Sequence, residues 1–299
     1  MLHKKETAAI LEAVGAAVVW GYAFVVLKEA IETFGPLWIR AITFGFVGLS
    51  ILPVSLIFTR FRSHVTLAQA RHAGLPGCLL GASLSLQSVG LEYTSIANCG
   101  FITVLSIVFI PLGERFLFRL TLKRNHIAAV CSAILGSILL CGGLPTTWSK
   151  GDLIVFVSAI LAAAHILSLK RVATKVESPY SFNLLQISWA AVITTPFAVV
   201  FDVTPTGPFY LKDFAAVLYL AVVSVLIGFM LQFRAQRVLS STVTSLVCLL
   251  EAPFAAAFAF VILGEVLNFT QSLGASLIMF ASILAIAATY KKNLATRTT

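Results

Sequence analysis

Charge is what this chain has least of. Only 11% of its 299 residues are Asp, Glu, Lys or Arg, against roughly 25% in an ordinary soluble domain. A soluble core could not absorb the 59% that are hydrophobic. Acidic residues are scarcer still, 12 against 21 basic. The five cysteines (Cys78, Cys99, Cys131, Cys141 and Cys248) have no paired spacing and lie inside apolar stretches. Neither a disulfide framework nor a zinc site is expected, and each reads as a small buried hydrophobe. The five histidines do not build a metal site, and there is no His-Glu-x-x-His, so no metal, cofactor or catalytic residue is expected. Alternating segments of about ten residues are absent, which excludes a membrane β-barrel. No ring of charge suggests a channel filter. Long polar connections are missing too, so no separate soluble domain is expected.

Long apolar runs are what fill the chain. A helix needs about 20 mainly apolar residues to cross about 30 Å of hydrocarbon. Ten such stretches occur, near 8–27, 35–58, 73–92, 97–118, 126–144, 152–173, 179–201, 212–234, 240–263 and 269–290. Backbone groups in lipid must be satisfied internally, so these are read as helices. The net charge of +9 invites a nucleic-acid partner, and its distribution argues against one. Under the ten-helix reading all but four of the 21 Lys and Arg fall on one side, the exceptions being Lys28, Arg40, Lys150 and Lys212. That bias puts both termini in the cytoplasm of a cell carrying the chain in its inner or plasma membrane. A cleavable leader is not expected, although Lys4 and Lys5 precede an apolar run.

The stretches repeat. Pro36 and Pro53 recur as Pro179 and Pro196 at an offset of 143, while Ser95 recurs as Ser240 and Ser137-Ile138-Leu139 as Ser282-Ile283-Leu284 at an offset of 145. Five spans per copy force the second copy to sit upside down, and inverted repeats are a transporter signature with the site near the midplane. The expected fold is all-α and integral to the membrane: ten transmembrane helices as two inverted five-helix repeats, residues 1–146 and 147–299. The junction falls near Leu144-Pro145-Thr146-Thr147-Trp148-Ser149-Lys150-Gly151, where Pro and Gly end one helix and allow the next to start. Residues from Lys291 to Thr299 read as a polar tail.

Several short motifs carry a resemblance. Trp20-Gly21-Tyr22-Ala23-Phe24, Pro36-Leu37-Trp38-Ile39-Arg40, and Leu250-Glu251-Ala252-Pro253 followed by Leu263-Gly264-Glu265 occur in the order and spacing of the EamA branch of the drug/metabolite transporter superfamily, which the chain resembles over nearly its whole length. The first copy departs from the pattern: at an offset of 145 Pro253 maps to position 108, three residues before Pro111, and Glu265 maps to Leu120. The resemblance implies a secondary transporter, not an enzyme, whose helices 1, 3, 4, 6, 8 and 9 surround a central cavity. It implies a small-molecule substrate, an amino acid or related compound above other metabolites, and export by alternating access. An intramembrane enzyme or a channel without a recognisable motif is the alternative. The partners expected are the substrate and the lipid bilayer, with protons a candidate coupling ion, no nucleic acid, and a monomer or a homodimer.

Polar groups inside a span are expensive and need a partner, water or a task. The candidate substrate-binding residues are Trp20, Tyr22, Gln87, Phe101, His165, Phe229 and Glu251. Glu251 lies deep in the ninth helix, where it is either a proton carrier or an anchor beside the Pro253 kink. His165, inverted onto Tyr22, could bind a carboxylate or switch charge. Gln87 offers a donor and an acceptor without charge, and Asn98 does the same but reads rather as a helix cap. Trp20, Tyr22, Phe101 and Phe229 could stack on a ring or hold a cation. Arg40 could receive a carboxylate, but pairing with Glu32 or Glu265 is the simpler expectation. Gly77 and Gly81 read as a close-approach motif, and Pro53, Pro111, Pro196 and Pro253 as hinges or kinks.

Overall fold

The computed structural model describes residues 2–121, 124–143, 148–264 and 266–295. Among these, nine helices are long and apolar enough to cross a membrane, and a tenth, Arg124–Leu140, is apolar but shorter. In chain order they are α1 (Leu2–Phe34), α2 (Trp38–Leu49, continued by Ile51–Ile57), α3 (Leu67–Glu92), α4 (Ile96–Val104 and Ser106–Phe118) and α5 (Arg124–Leu140). The second half follows as α6 (Lys150–Val172), α7 (Pro179–Phe201), α8 (Leu211–Gln236 in three pieces), α9 (Ser241–Cys248 and Glu251–Leu263) and α10 (Phe269–Ala295). The all-helical membrane fold read from the sequence is therefore the one observed. The end of the bundle where α1 begins carries most Lys and Arg and is called the basic end.

Several helices outrun their apolar stretches. α1 spans 33 residues and not 20 because Lys4, Lys5, Glu6, Lys28, Glu29 and Glu32 are good helix formers; charge ends a hydropathy window without ending a helix. α3 starts at Leu67, capped by the Thr66 hydroxyl on the Gln69 amide at 3.2 Å, so Pro76 falls inside it. α10 continues to Ala295 where a polar tail begins by the sequence reading. Leu144 to Thr147, which hold the expected junction, lie outside the described residues, as do Lys123, Glu265 and Thr296 to Thr299.

The inverted repeat is visible in the packing. α3 packs on α6 and its counterpart α8 on α1; α4 packs on α6 as α9 packs on α1; α3 meets α7 as α8 meets α2. The pairs α2–α7 and α5–α10 join an element to its own counterpart, which places the pseudo-twofold axis between them. Ser132 donates to the carbonyl of Leu277 at 3.1 Å, a bond between two residues 145 apart. Close approach there uses glycine: a Cβ at Gly136 would lie 2.7 Å from the Gly274 carbonyl oxygen. Gly81 similarly lets α3 meet α7, where a Cβ would come within 2.8 Å of the Ala190 oxygen. The outward faces are apolar, with Leu56 79%, Phe201 72% and Val261 76% exposed, as suits contact with lipid tails.

The two copies also match in local detail. Ser95 and Ser240 both cap a helix through their hydroxyls, on Asn98 N at 3.0 Å and Val243 N at 3.2 Å. α4 and α9 then break at the same place, with three-residue bonds from Leu105 N to Ile102 O (3.0 Å) and Leu250 N to Val247 O (3.1 Å). Both end on a left-handed residue, Arg119 (φ 53°) and Gly264 (φ 71°). Pro253 lacks the N–H that Leu249 O would accept, which accounts for the break in α9. Pro111 comes too late to account for the break in α4, so the two copies share a bend through only one matching proline. Pro196 sits in an unbroken α7.

Candidate functional site

Helices α1, α3, α4, α6, α8 and α9 enclose a cavity of about 170 Å³ at the centre of the bundle, with Arg40 of α2 added to its wall. Its lining mixes aromatic and aliphatic surface with Ser, Thr, Gln, His and two opposite charges. The breaks in α4 and α9 put Ser106 and Glu251 at the starts of their second halves, both facing this space. A helix start favours a carboxylate, because its unpaired N–H groups carry partial positive charge.

Glu251 lines the cavity, and among the described residues no ion pair or side-chain hydrogen bond engages it. The freed backbone near Pro253 is thus not its partner. Gly21 is what lets α1 approach here: a Cβ on it would lie 2.8 Å from the Phe254 Cβ and 3.0 Å from the Glu251 oxygen. Arg40, 7% exposed, donates from Nε to the Ser88 hydroxyl at 2.8 Å. Ion pairs between described residues include Lys170–Glu114 and Arg234–Glu12, with His64 hydrogen-bonded to Glu177, and Arg40 is not paired with Glu32; Glu265 lies outside the described residues. One cavity thus holds a guanidinium and a carboxyl group, neither of them ion-paired among the described residues.

Trp20 lies against Phe229 at 5.0 Å between ring centres and donates from Nε1 to the Ser224 carbonyl at 3.1 Å. Room for the indole comes from Gly228, where a Cβ would meet Nε1 at 2.6 Å. Ser224 sits in a π-helical stretch of α8, Tyr219–Gly228, and such stretches gather at functional sites. Phe229 also meets the edge of His165 at 6.1 Å. His165 contacts Gln186 Oε1 through Nε2 at 3.4 Å, Gln186 Nε2 donates to Asn183 Oδ1 at 2.8 Å, and Asn183 Nδ2 donates to the Leu226 carbonyl at 2.9 Å. Read back from that carbonyl, the amide chain requires His165 to donate from Nε2. Gln87 donates from Nε2 to Thr103 Oγ1 at 3.1 Å.

Of the seven sequence candidates, Trp20, Gln87, His165, Phe229 and Glu251 share the cavity wall. Tyr22 and Phe101 do not. Tyr22 turns to Tyr219 (4.9 Å) and Phe258 (5.4 Å), and Phe101 packs with Cys99, Ile102 and Val155. Asn98 receives the Ser95 cap on its amide and its side chain bonds Asp152, away from the cavity. Sequence reasoning left Arg40 outside the candidate set and passed over Gln232 as a neighbour of Arg234. It also passed over Glu114, although a buried acid in an apolar span is a usable signal.

Glu114 closes the basic end. Its carboxylate accepts from Lys170 Nζ at 2.5 Å, from the Ser241 amide at 3.0 Å and from the Thr242 hydroxyl at 2.6 Å, tying α4, α6 and α9 together. Gln236 donates to the Ile166 carbonyl at 2.5 Å and to Ser241 Oγ at 3.0 Å. Arg234 pairs with Glu12 at 2.5 Å and donates to Tyr180 at 3.0 Å. At the other end, Asp202 of the α7–α8 loop accepts from the amides of Leu37 and Trp38 at 2.8 and 3.2 Å, and Thr94 donates to Asp152 at 2.5 Å.

A bundle of spanning helices in two inverted halves, packed around a central cavity of mixed apolar and polar lining, is the architecture of a membrane transporter. The chain belongs to the EamA-like transporter family, which it matches twice, over residues 7–142 and 149–287. An uncharacterised transporter of Archaeoglobus fulgidus is 25% identical over 272 residues, 90% of this chain and 82% of its own length. A crystal structure titled only as that of a protein superposes with a TM-score of 0.73, covering 96% of this chain and 99% of that one at 18% identity, which speaks to the fold alone.

Proposed function

We propose that the protein is a secondary transporter for a small zwitterionic metabolite, an amino acid or a close relative, and that it works by alternating access in the cell membrane with both termini in the cytoplasm. The observation that carries this reading is one cavity lined by both Arg40 and Glu251, neither ion-paired among the described residues. A buried charge is costly unless paired. A solute with a carboxylate for Arg40 and an ammonium for Glu251 pairs both at once. Trp20 and Phe229 supply the apolar wall, and Gln87 holds Thr103 in place beside them. Each five-helix repeat moves as a unit, with the basic-end bonds of Glu114 broken when the cavity opens to the cytoplasm. Export is the direction suggested by the resemblance.

Counterflow in proteoliposomes tests this reading. Vesicles preloaded with each of the twenty common L-amino acids are expected to draw in the labelled compound saturably for at least one of them. Glu251→Gln and Arg40→Ala are each expected to weaken that uptake, raising its half-saturating concentration by about tenfold or more. Imposing a pH gradient then separates proton coupling from facilitated exchange. Saturable exchange of a metabolite lacking either charge, with no amino acid exchanged, would overturn the proposed substrate class.

A further inference from the structure

We propose that Gln232 reads the solute: its amide oxygen, which has no partner among the described residues, accepts a hydrogen bond from a neutral polar group on the bound molecule. This rests on the transporter reading above and narrows its substrate to solutes whose side chain ends in a hydroxyl or a carboxamide.

The argument starts from the repeat. The offset of 145 that equates the caps Ser95 and Ser240, and the breaks at Leu105 and Leu250, also equates Gln87 with Gln232 and Thr103 with Cys248. In the first copy the glutamine is spent on the fold. Thr103 uses its proton on the Cys99 carbonyl at 2.8 Å and accepts from Gln87 Nε2 at 3.1 Å. In the second copy the hydroxyl is replaced by a thiol, a weak donor and acceptor, and Cys248 Sγ is directed at the Ala13 carbonyl at 3.9 Å.

For Gln232 no such hydroxyl is at hand among the described residues. It is 4% exposed, it lines the cavity, and its buried Oε1 has no hydrogen-bond partner among the described residues. An unmade hydrogen bond on a buried amide is a standing cost that a bound ligand can remove. Its place fits a side-chain pocket. Arg40 lies near the far end of the bundle and Glu251 midway, whereas Gln232 lies towards the basic end, one turn from Phe229. A zwitterion whose head group spans Arg40 and Glu251 extends its side chain to Gln232.

Two variants test this. Gln232→Leu removes that amide oxygen, and Cys248→Thr restores the hydroxyl that occupies Gln87 in the other copy. Without ligand, both are expected to raise the melting temperature of the purified protein, by about 2–4 °C. In counterflow, the wild type is expected to favour asparagine over its near-isostere leucine by about tenfold, as a site built around a polar contact does. Both variants are expected to bring that ratio near one while still exchanging leucine. Melting temperatures that do not rise, or a preference that survives Gln232→Leu, would overturn the proposal. Failure of the wild type to exchange any amino acid overturns the substrate class instead, and the melting temperatures alone then decide whether the amide oxygen lacks a partner.

Discussion

Arg40 and Glu251 set the energetics of the cavity, because neither is ion-paired among the described residues. Hydrogen bonds to charged groups contribute about 1.5–3 kcal/mol each. Arg40→Ala is therefore expected to raise the half-saturating concentration for exchange by about tenfold or more, with Arg40→Lys intermediate, because lysine keeps the charge but loses the planar fork. Titrating exchange rate against external solute measures this; an unchanged half-saturation in Arg40→Ala would remove Arg40 from the site. Gly21 acts on the same place without touching solute. With Phe254 2.8 Å from where its Cβ would stand, Gly21→Val forces α1 off α9, at an expected cost of about 1–3 kcal/mol. Thermal unfolding in detergent reads that loss. Glu251 and Trp20 were legible in the sequence because acids and tryptophans are rare in this chain. Tyr22 was not separable from Trp20, since two residues along a helix turn a side chain by about 200°, and only the packing shows which of the two faces inwards.

At the level of elements, the two copies close differently. Glu114 and Lys170 bind across the basic end at 2.5 Å, while their counterparts, Ala259 at an offset of 145 and Leu27 at an offset of 143, are apolar. The acid–lysine bridge is thus one-sided, and the other end is tied by Asp202 on the Leu37 and Trp38 amides and by Thr94 on Asp152. Removing one member of a buried pair costs about 3–5 kcal/mol, and Lys170, 24% exposed, puts this pair at the lower end. Glu114→Ala is expected to lower the melting temperature and to make the basic end more reactive to thiol reagents at an introduced Ser241→Cys. The double variant with Lys170→Ala should lose much less than the sum of the two single losses; simple additivity would mean that the two side chains do not cooperate. The helices themselves were readable from hydropathy, and their order from the proline and serine offsets. Their ends were not, because charged helix formers extend a helix past the apolar run. The π-helical stretch of α8 left no sequence signal either, and the Trp20 contact with the Ser224 carbonyl inside it joins residues 204 apart in the chain.

For the whole molecule, orientation and substrate are the two properties that geometry alone leaves to experiment. The charge bias predicts that Thr204→Cys, in the α7–α8 loop, reacts with a membrane-impermeant maleimide on intact cells, whereas Thr174→Cys, between α6 and α7, reacts only after permeabilisation. The opposite pattern would invert the molecule. Close packing between copies, α5 on α10 and α2 on α7, makes each half dependent on the other, so the cavity exists only in the joined chain. That cavity is the centre of the account, and equilibrium binding tests it most directly. An amino acid that exchanges in vesicles is offered to the purified protein beside two analogues with the same side chain, the amine without its carboxylate and the acid without its ammonium. The account predicts that the zwitterion competes and that both analogues fail by about tenfold or more, since each leaves Arg40 or Glu251 unpaired. Equal competition by either analogue would contradict it.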